Sequence, residues 1–312
     1  SHGDIRELSW VRAGDLWEFR TGIRKVFWGV TEFTHLVDVI NQTDSVDSFD
    51  GEEKLGQPMF NVSRVTDWGI IDGFVLLGFR ERTFAGSDGR LRSGVLVDTE
   101  RASFESSDEK EHVDYSLRWS HSVDVFDIGV YWFDGTDRTP IFQPQSIAGN
   151  AVLTPYYQQV SQWGVDLQAT VDSWLWKFEG LHKESDLERY LATQAGFEYT
   201  LYGINKSFAD VGLLLEYGWD ERGVQASSVS QNDIYVGARL TLNDVNDTAL
   251  LIGGSYDVDF HSRSLLIEAS RRLNDYWTIS LEGLLFTAKN ANDIVASLDQ
   301  DDRLQLTLER YF

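Results

Sequence analysis

The chain has 312 residues, a net charge of −23, no Cys and 42% hydrophobic residues. The charge argues against a nucleic-acid partner, whose phosphates bind Lys/Arg-rich surfaces, and the lack of Cys excludes a disulfide framework and thiolate metal sites. No run of about 18 apolar residues offers a membrane-spanning helix, which says nothing against a barrel whose strands are half polar.

The opening residues, SHGDIRELSW, lack the charged and apolar regions of a signal peptide. The expectation is a chain whose leader has been removed, or a part of a longer chain. From there, stretches of period two separated by turns predict fifteen strands. The first hairpin joins Ile5–Arg12 to Leu16–Trp28. On its second strand Trp17, Phe19, Thr21, Ile23 and Phe27 share one face, with Glu18, Arg20, Gly22 and Arg24 on the other. An acidic segment, Gly29 to Pro58, follows, with a short helical piece expected at Thr34–Asn41. Met59–Val65 and Ile70–Arg82 pair across a tight Thr66–Gly69 turn, and a polar loop runs from Thr83 to His112.

The cleanest strand sets Val113, Tyr115, Leu117 and Trp119 against Asp114, Ser116, Arg118 and Ser120; its partner sets Phe126, Ile128, Val130 and Trp132 against Asp127, Gly129, Tyr131 and Phe133. A third long loop spans Asp134 to Gln159. Trp163–Val171 then turns at Asp172-Ser173 into a strand with Trp174, Trp176 and Phe178 opposite Lys177 and Glu179. Later strands place Glu198, Asp210, Glu216, Asp233, Arg239, Glu268, Arg272 and Glu282 on the polar faces. The last strand, DDRLQLTLERYF, alternates Leu304, Leu306, Leu308 and Phe312 with polar residues.

Two physical points follow. The polar faces carry too many ionisable groups to be a dry core, because an ionised group is costly to bury without a partner or water. The opposite faces are almost uncharged and so touch something apolar, lipid in a barrel or a second sheet in a sandwich. Short turns alternating with long loops, aromatics near strand ends and tilted strands of about 9 to 11 residues favour the barrel. The predicted fold is all-β: a transmembrane antiparallel up-and-down β-barrel of 15 visible strands, 16 when closed, as one domain over 1–312. The odd count leaves the two end strands parallel, so an upstream strand or a miscounted one is expected.

The pattern resembles the porin-like outer-membrane proteins of Gram-negative bacteria. The closing strand and its terminal Phe312 resemble the signal read by the barrel-assembly machinery, and KVFWGVTEFTHLVDVINQTD (Lys25–Asp44) is similar to a segment in an uncharacterised proteobacterial branch of porin-like barrels. That resemblance implies the bacterial cell outer membrane, with lipid and lipopolysaccharide as neighbours. The function expected is passive diffusion of small hydrophilic solutes, and no enzyme activity is expected because no Ser-His or Asp-His spacing matches a catalytic motif. Residues 29–58 are the candidate inward-folding constriction loop.

The candidate pore-lining residues are Arg20, Arg24, Arg80, Arg118 and Arg239 as a basic ladder, facing an acidic rim that includes Asp38, Asp44, Asp47 and Asp50. Asp114, Asp166, Lys177, Glu198, Asp233, Glu268 and Glu282 complete the lining. Acids outnumber bases, so weak cation preference is expected. An equally open role is that these charges pair off and brace or plug the wall. Two other readings remain: a structural barrel bound to an envelope partner or its own copies, and an outer-membrane hydrolase using His112, His182 or His261. No cofactor is implied. The acidic cluster at Asp44–Glu52 fails the EF-hand spacing; it and a second acidic cluster at Asp293–Asp302 suggest at most adventitious calcium.

Overall fold

A computed structural model describes residues 3–46, 51–86, 89, 94–290, 292–299 and 301–311. Its strands are β1 (Leu8–Ala13), β2 (Trp17–Arg24), β3 (Gln57–Thr66), β4 (Gly69–Leu77), β5 (Leu96–Val97), β6 (Ser103–Phe104), β7 (Val113–Val123), β8 (Phe126–Thr136), β9 (Ile141–Ile147), β10 (Asn150–Tyr157), β11 (Gln159–Val171), β12 (Trp174–Glu184), β13 (Arg189–Leu201), β14 (Asp210–Asp220), β15 (Asn232–Thr241), β16 (Ala249–Asp257), β17 (Arg263–Asn274), β18 (Trp277–Thr287) and β19 (Arg303–Arg310). Fifteen of them form one sheet in chain order, from β1 through β4, β7, β8 and then β11 to β19. β5, β6, β9 and β10 form a separate four-stranded sheet.

The period-two reading therefore finds the strands of the main sheet. Strand ends are tuned by turn chemistry: Asp124 (φ 55°) and Asp172 (φ 53°) adopt the left-handed conformation that a tight hairpin requires and that Asp tolerates. β14 displays the face logic most plainly. Gly212, Leu214, Glu216, Gly218 and Asp220 are buried, while Leu213, Leu215, Tyr217 and Trp219 are exposed. The apolar side is bare and the charged side is covered, the inverse of a water-soluble sheet packed on a core.

Several expectations are corrected. Residues 134–159 are not an open loop: β8 runs on to Thr136, and β9 and β10 form a hairpin that also pairs with β5 and β6. β4 stops at Leu77, so Phe79 and Arg80 leave the ladder. Phe79 is buried against Phe104 and Tyr157 instead of continuing the outer face. The long-loop rule weakens toward the C-terminus. Ser185–Glu188 joins β12 to β13 and Val258–Ser262 joins β16 to β17, links as short as those at the other end. A two-to-five-residue link suffices for any antiparallel pair, so a short connection carries no information about which end it closes.

The chain divides into two compact units. One comprises Ser1–Val30, His35–Leu167 and Glu179–Leu191; the other comprises Thr31–Thr34, Gln168–Phe178 and Ala192–Phe312. In the first, Trp28, Val37 and Ile40 pack with Met59, Phe74, Leu76, Tyr131, Phe133 and Val160. In the second, a 3₁₀ turn at Ile294–Leu298 lies on β18, with Leu284, Phe286 and Leu298 buried.

Candidate functional site: the inner wall and the segment folded against it

The segment after β2 decides what the covered face contains. Its apolar residues do not stay in a surface loop. Val37 and Ile40 are fully buried, and each such burial contributes about 1.5–3 kcal/mol. Trp28 lies edge-on to Phe74 at 5.6 Å and tilted against Tyr131 at 5.1 Å, with the Arg118 guanidinium 4.9 Å from its ring centre. No helix forms at Thr34–Asn41, where only a turn is found. The backbone groups there find side-chain partners instead of helical ones, as a buried chain must.

Those partners are specific. Asn41 Nδ2 donates to the carbonyls of Arg24 (2.8 Å) and Leu55 (2.9 Å), and its Oδ1 accepts from Val26 N at 2.8 Å. Glu179, from β12 and fully buried, accepts from Val30 N at 2.7 Å and Val37 N at 3.2 Å. His35 Nδ1 stands 3.9 Å from the same carboxylate. Burial opposes the charge on His35, yet Glu179, with Asp38 and Glu52 further off, outweighs it and holds the imidazole pKa above its ordinary value. Asp38 accepts from Trp28 N and pairs with Lys54 at 3.1 Å; burial nonetheless keeps its pKa raised.

In the second unit, Thr31–Thr34 is held as firmly. The N–H groups of Glu32 and Phe33 donate to Glu216 at 2.7 and 3.3 Å, and Gln194 donates to the same carboxylate at 3.0 Å. The Glu32 carboxylate pairs with Arg239 at 2.5 Å and Lys177 at 3.2 Å, and Arg239 also faces Glu198 at 3.7 Å. Burial pushes the Glu32 pKa up, but the two cations outweigh it and leave it below its ordinary value. Phe33 stacks on Tyr235 with ring centres 5.2 Å apart. It rests over Gly237 and Gly253, where a Cβ would come within 3.1 and 2.5 Å of its ring. Glycine is needed there for the close approach.

The other predicted lining residues are mostly paired along their own wall. Arg20 pairs with Glu18; Arg24 donates to Asn61 at 3.1 Å; Arg80, in the connection after β4, pairs with Asp4 at 2.8 Å. Arg118 and Asp166 pair at 2.7 Å beside a cavity of about 300 Å³ at the short-turn end of the first unit, which Ser120, Ser122 and Asp127 also line. Asp114, fully buried, takes Arg138 at 2.7 Å, His112 at 2.8 Å and Thr136 N at 3.0 Å. Asp44 is equally buried, accepting from Thr83 Oγ1 at 2.6 Å and pairing with Arg6 at 3.2 Å, so it does not stand on an open rim. Glu268 and Glu282 are directly opposite each other on β17 and β18, and Glu282 also faces Arg303 at 3.9 Å. Asp233 lies opposite Asp257. Asp47, Asp50 and Phe312 lie outside the described residues.

Sequence reasoning missed Glu32, Asn41 and Glu179 as anchors and the buried pairs Arg138–Asp114 and Lys183–Asp137, the latter at 3.0 Å. The available signal was the apolar content of Lys25–Asp44, too high for a solvated loop. The three histidines considered for hydrolysis have separate partners: His112 with Asp114, His182 with Arg189 at 3.1 Å, and His261 with Tyr256 at 3.0 Å.

A sheet with one bare, apolar face and one covered, charged face has the pattern of a transmembrane β-barrel. The crystal structure of Pseudomonas aeruginosa OccK8 (OprE) is similar to this chain, with a TM-score of 0.51 and 10% sequence identity over 97% of this chain and 78% of that one. At that identity the likeness shows the fold: an all-β, antiparallel porin-type barrel fold. No family model and no curated protein sequence matches the chain.

Proposed function

We propose that this protein is a porin-like channel of the bacterial outer membrane, passing small hydrophilic solutes by passive diffusion with a weak preference for cations and no enzymatic role. The observation that carries this reading is the inverted sheet: large apolar side chains such as Leu213, Val236, Leu304 and Leu306 are exposed, while the facing wall is charged. Hydrocarbon is the solvent that suits the first face and water the one that suits the second. The barrel fold supports a passage, and residues 29–58 supply its constriction, because the part nearest β2 leaves the ladder and seats on charged and apolar groups of the wall. Selectivity follows from the wall charges that pore ions meet, among which Glu198, Glu268 and Glu282 stand against Arg239 and Lys177.

A second reading, a braced barrel that serves an envelope partner, is favoured by the extent of internal ion pairing. Planar-bilayer recording of the purified protein separates the two. The channel reading expects ohmic steps and a reversal potential on the cation side in a salt gradient. Silence in the bilayer, together with a stoichiometric partner on copurification, supports the braced barrel, and clear anion preference refutes the selectivity assigned here.

A further inference from the structure

The second unit holds a row of oxygen ligands that the channel reading does not use. Asp233 at the start of β15 and Asp257 at the end of β16 are direct cross-strand partners, so their side chains lie side by side on one face. The row continues to Ser262, whose carbonyl accepts from Asp257 N at 3.1 Å and which therefore sits opposite Asp257 on the same face. All three residues are buried, at 3%, 6% and 2% exposure. Like charges directly opposite destabilise a strand pair, and burial makes that cost larger.

Two buried oxygens there have no hydrogen-bond partner. One is the Ser262 hydroxyl. The other is Oδ2 of Asp293, 8% exposed, whose Oδ1 caps the turn at Val295 N at 3.0 Å. The Asp293 charge acts on both Asp233 and Asp257. Among the described residues, no lysine, arginine or histidine pairs with any of the three carboxylates. Backbone donors hold them in place: Gln231 N and Asn232 N on Asp233 at 3.0 and 3.2 Å, Asp259 N and Phe260 N on Asp257 at 2.8 and 2.7 Å, with the Gln231 amide on the other Asp257 oxygen at 3.1 Å.

We infer that this row is a binding site for one divalent cation of the calcium type, taking the opposed carboxylates of Asp233 and Asp257 and the Ser262 hydroxyl and drawing in Asp293. Calcium is the fitting ion because it accepts six to eight oxygen ligands in flexible geometry. The set is all oxygen and contains no imidazole or thiolate, which disfavours zinc and copper. Among the described residues no three acidic side chains already surround a metal point, so Asp233, Asp257 and the Ser262 hydroxyl form the heart of the site, and Asp293 joins it only by turning from its place at Val295 N. The ion would tie the Val258–Ser262 link, the start of β15 and the segment before β19 into one rim at that end of the unit.

The test uses the full chain in detergent, stripped with EGTA and titrated with CaCl₂, followed by calorimetry and thermal unfolding. The expected result is saturable binding of one Ca²⁺ per chain and a higher unfolding temperature. Asp257→Asn and Ser262→Ala should each weaken binding at least tenfold, whereas Asp259→Asn, at an exposed neighbour, should leave it unchanged. Ser262→Ala removes only a hydroxyl, so it reports on the site even if the Asp257 variant folds poorly. Absence of saturable binding, or binding that survives Ser262→Ala and Asp257→Asn alike, overturns the proposal and leaves only loose association with surface acids. The readout needs no conduction, so it stands or falls apart from the channel reading.

Discussion

Glu179→Ala is the most informative single change. The carboxylate is wholly buried and accepts two backbone N–H groups, from Val30 at 2.7 Å and Val37 at 3.2 Å. Hydrogen bonds to a charged group contribute about 1.5–3 kcal/mol each, so losing both weakens the seating of this segment by about 3–6 kcal/mol. At 1.4 kcal/mol per decade, local opening becomes roughly 10²- to 10⁴-fold more populated. Amide hydrogen exchange at Val30 and Val37, read by mass spectrometry on the detergent-solubilised protein, should accelerate by that factor. Val62 and Val236, in ladder positions on β3 and β15, should be unaffected. Glu179→Gln keeps one acceptor and should fall between the two. In a bilayer the Ala variant should show noisier, more frequent closures. Exchange at Val30 and Val37 that stays within threefold of the parent chain would falsify the anchoring argument, since the N–H groups would then be protected by something other than this carboxylate.

Three further outcomes are expected. The His35 pKa is raised in the folded chain, so its pairing with Glu179 is fully present below the ordinary histidine range and is lost as pH rises through the raised value; loop-dependent gating should therefore increase on the alkaline side, and His35→Gln should flatten that profile. Glu32→Gln removes the carboxylate from Arg239 and Lys177, so the reversal potential should move toward anions; an unchanged potential would mean these cations do not face the ion path. Ile40→Ala empties a fully buried site and should cost about 2–5 kcal/mol, measured as a lower unfolding midpoint in urea with the heat-modifiable gel shift of the folded barrel as the readout.

The strand pattern belongs to the sequence alone. A strand's side chains alternate faces whatever its neighbours are, so Val113–Ser120 or Asp210–Tyr217 declare their charged and uncharged sides locally, and the strands of the main sheet can be found one at a time. Where a short link joins successive strands, as from β11 to β12 or β17 to β18, their antiparallel pairing follows too; across the long connections after β2, β4 and β8 it does not. Which charges meet across the wall was not legible, because those contacts join residues far apart in sequence. Val30 N reaches Glu179 across 149 positions and Glu32 N reaches Glu216 across 184. A periodicity has no term for such distances. The same holds for Arg80, read as a ladder residue although β4 ends at Leu77, and for β9 and β10, whose pairing with β5 and β6 needs the chain to return on itself. Local alternation determined what each strand offers to oil and to water; only the tertiary structure decided that the segment after β2 buries its oily residues against the charged side, because that choice compares two solvents, the water of a loop and the wall of the sheet, and the wall wins by the burial of Val37 and Ile40 and the amides satisfied by Glu179, Glu216 and Asn41.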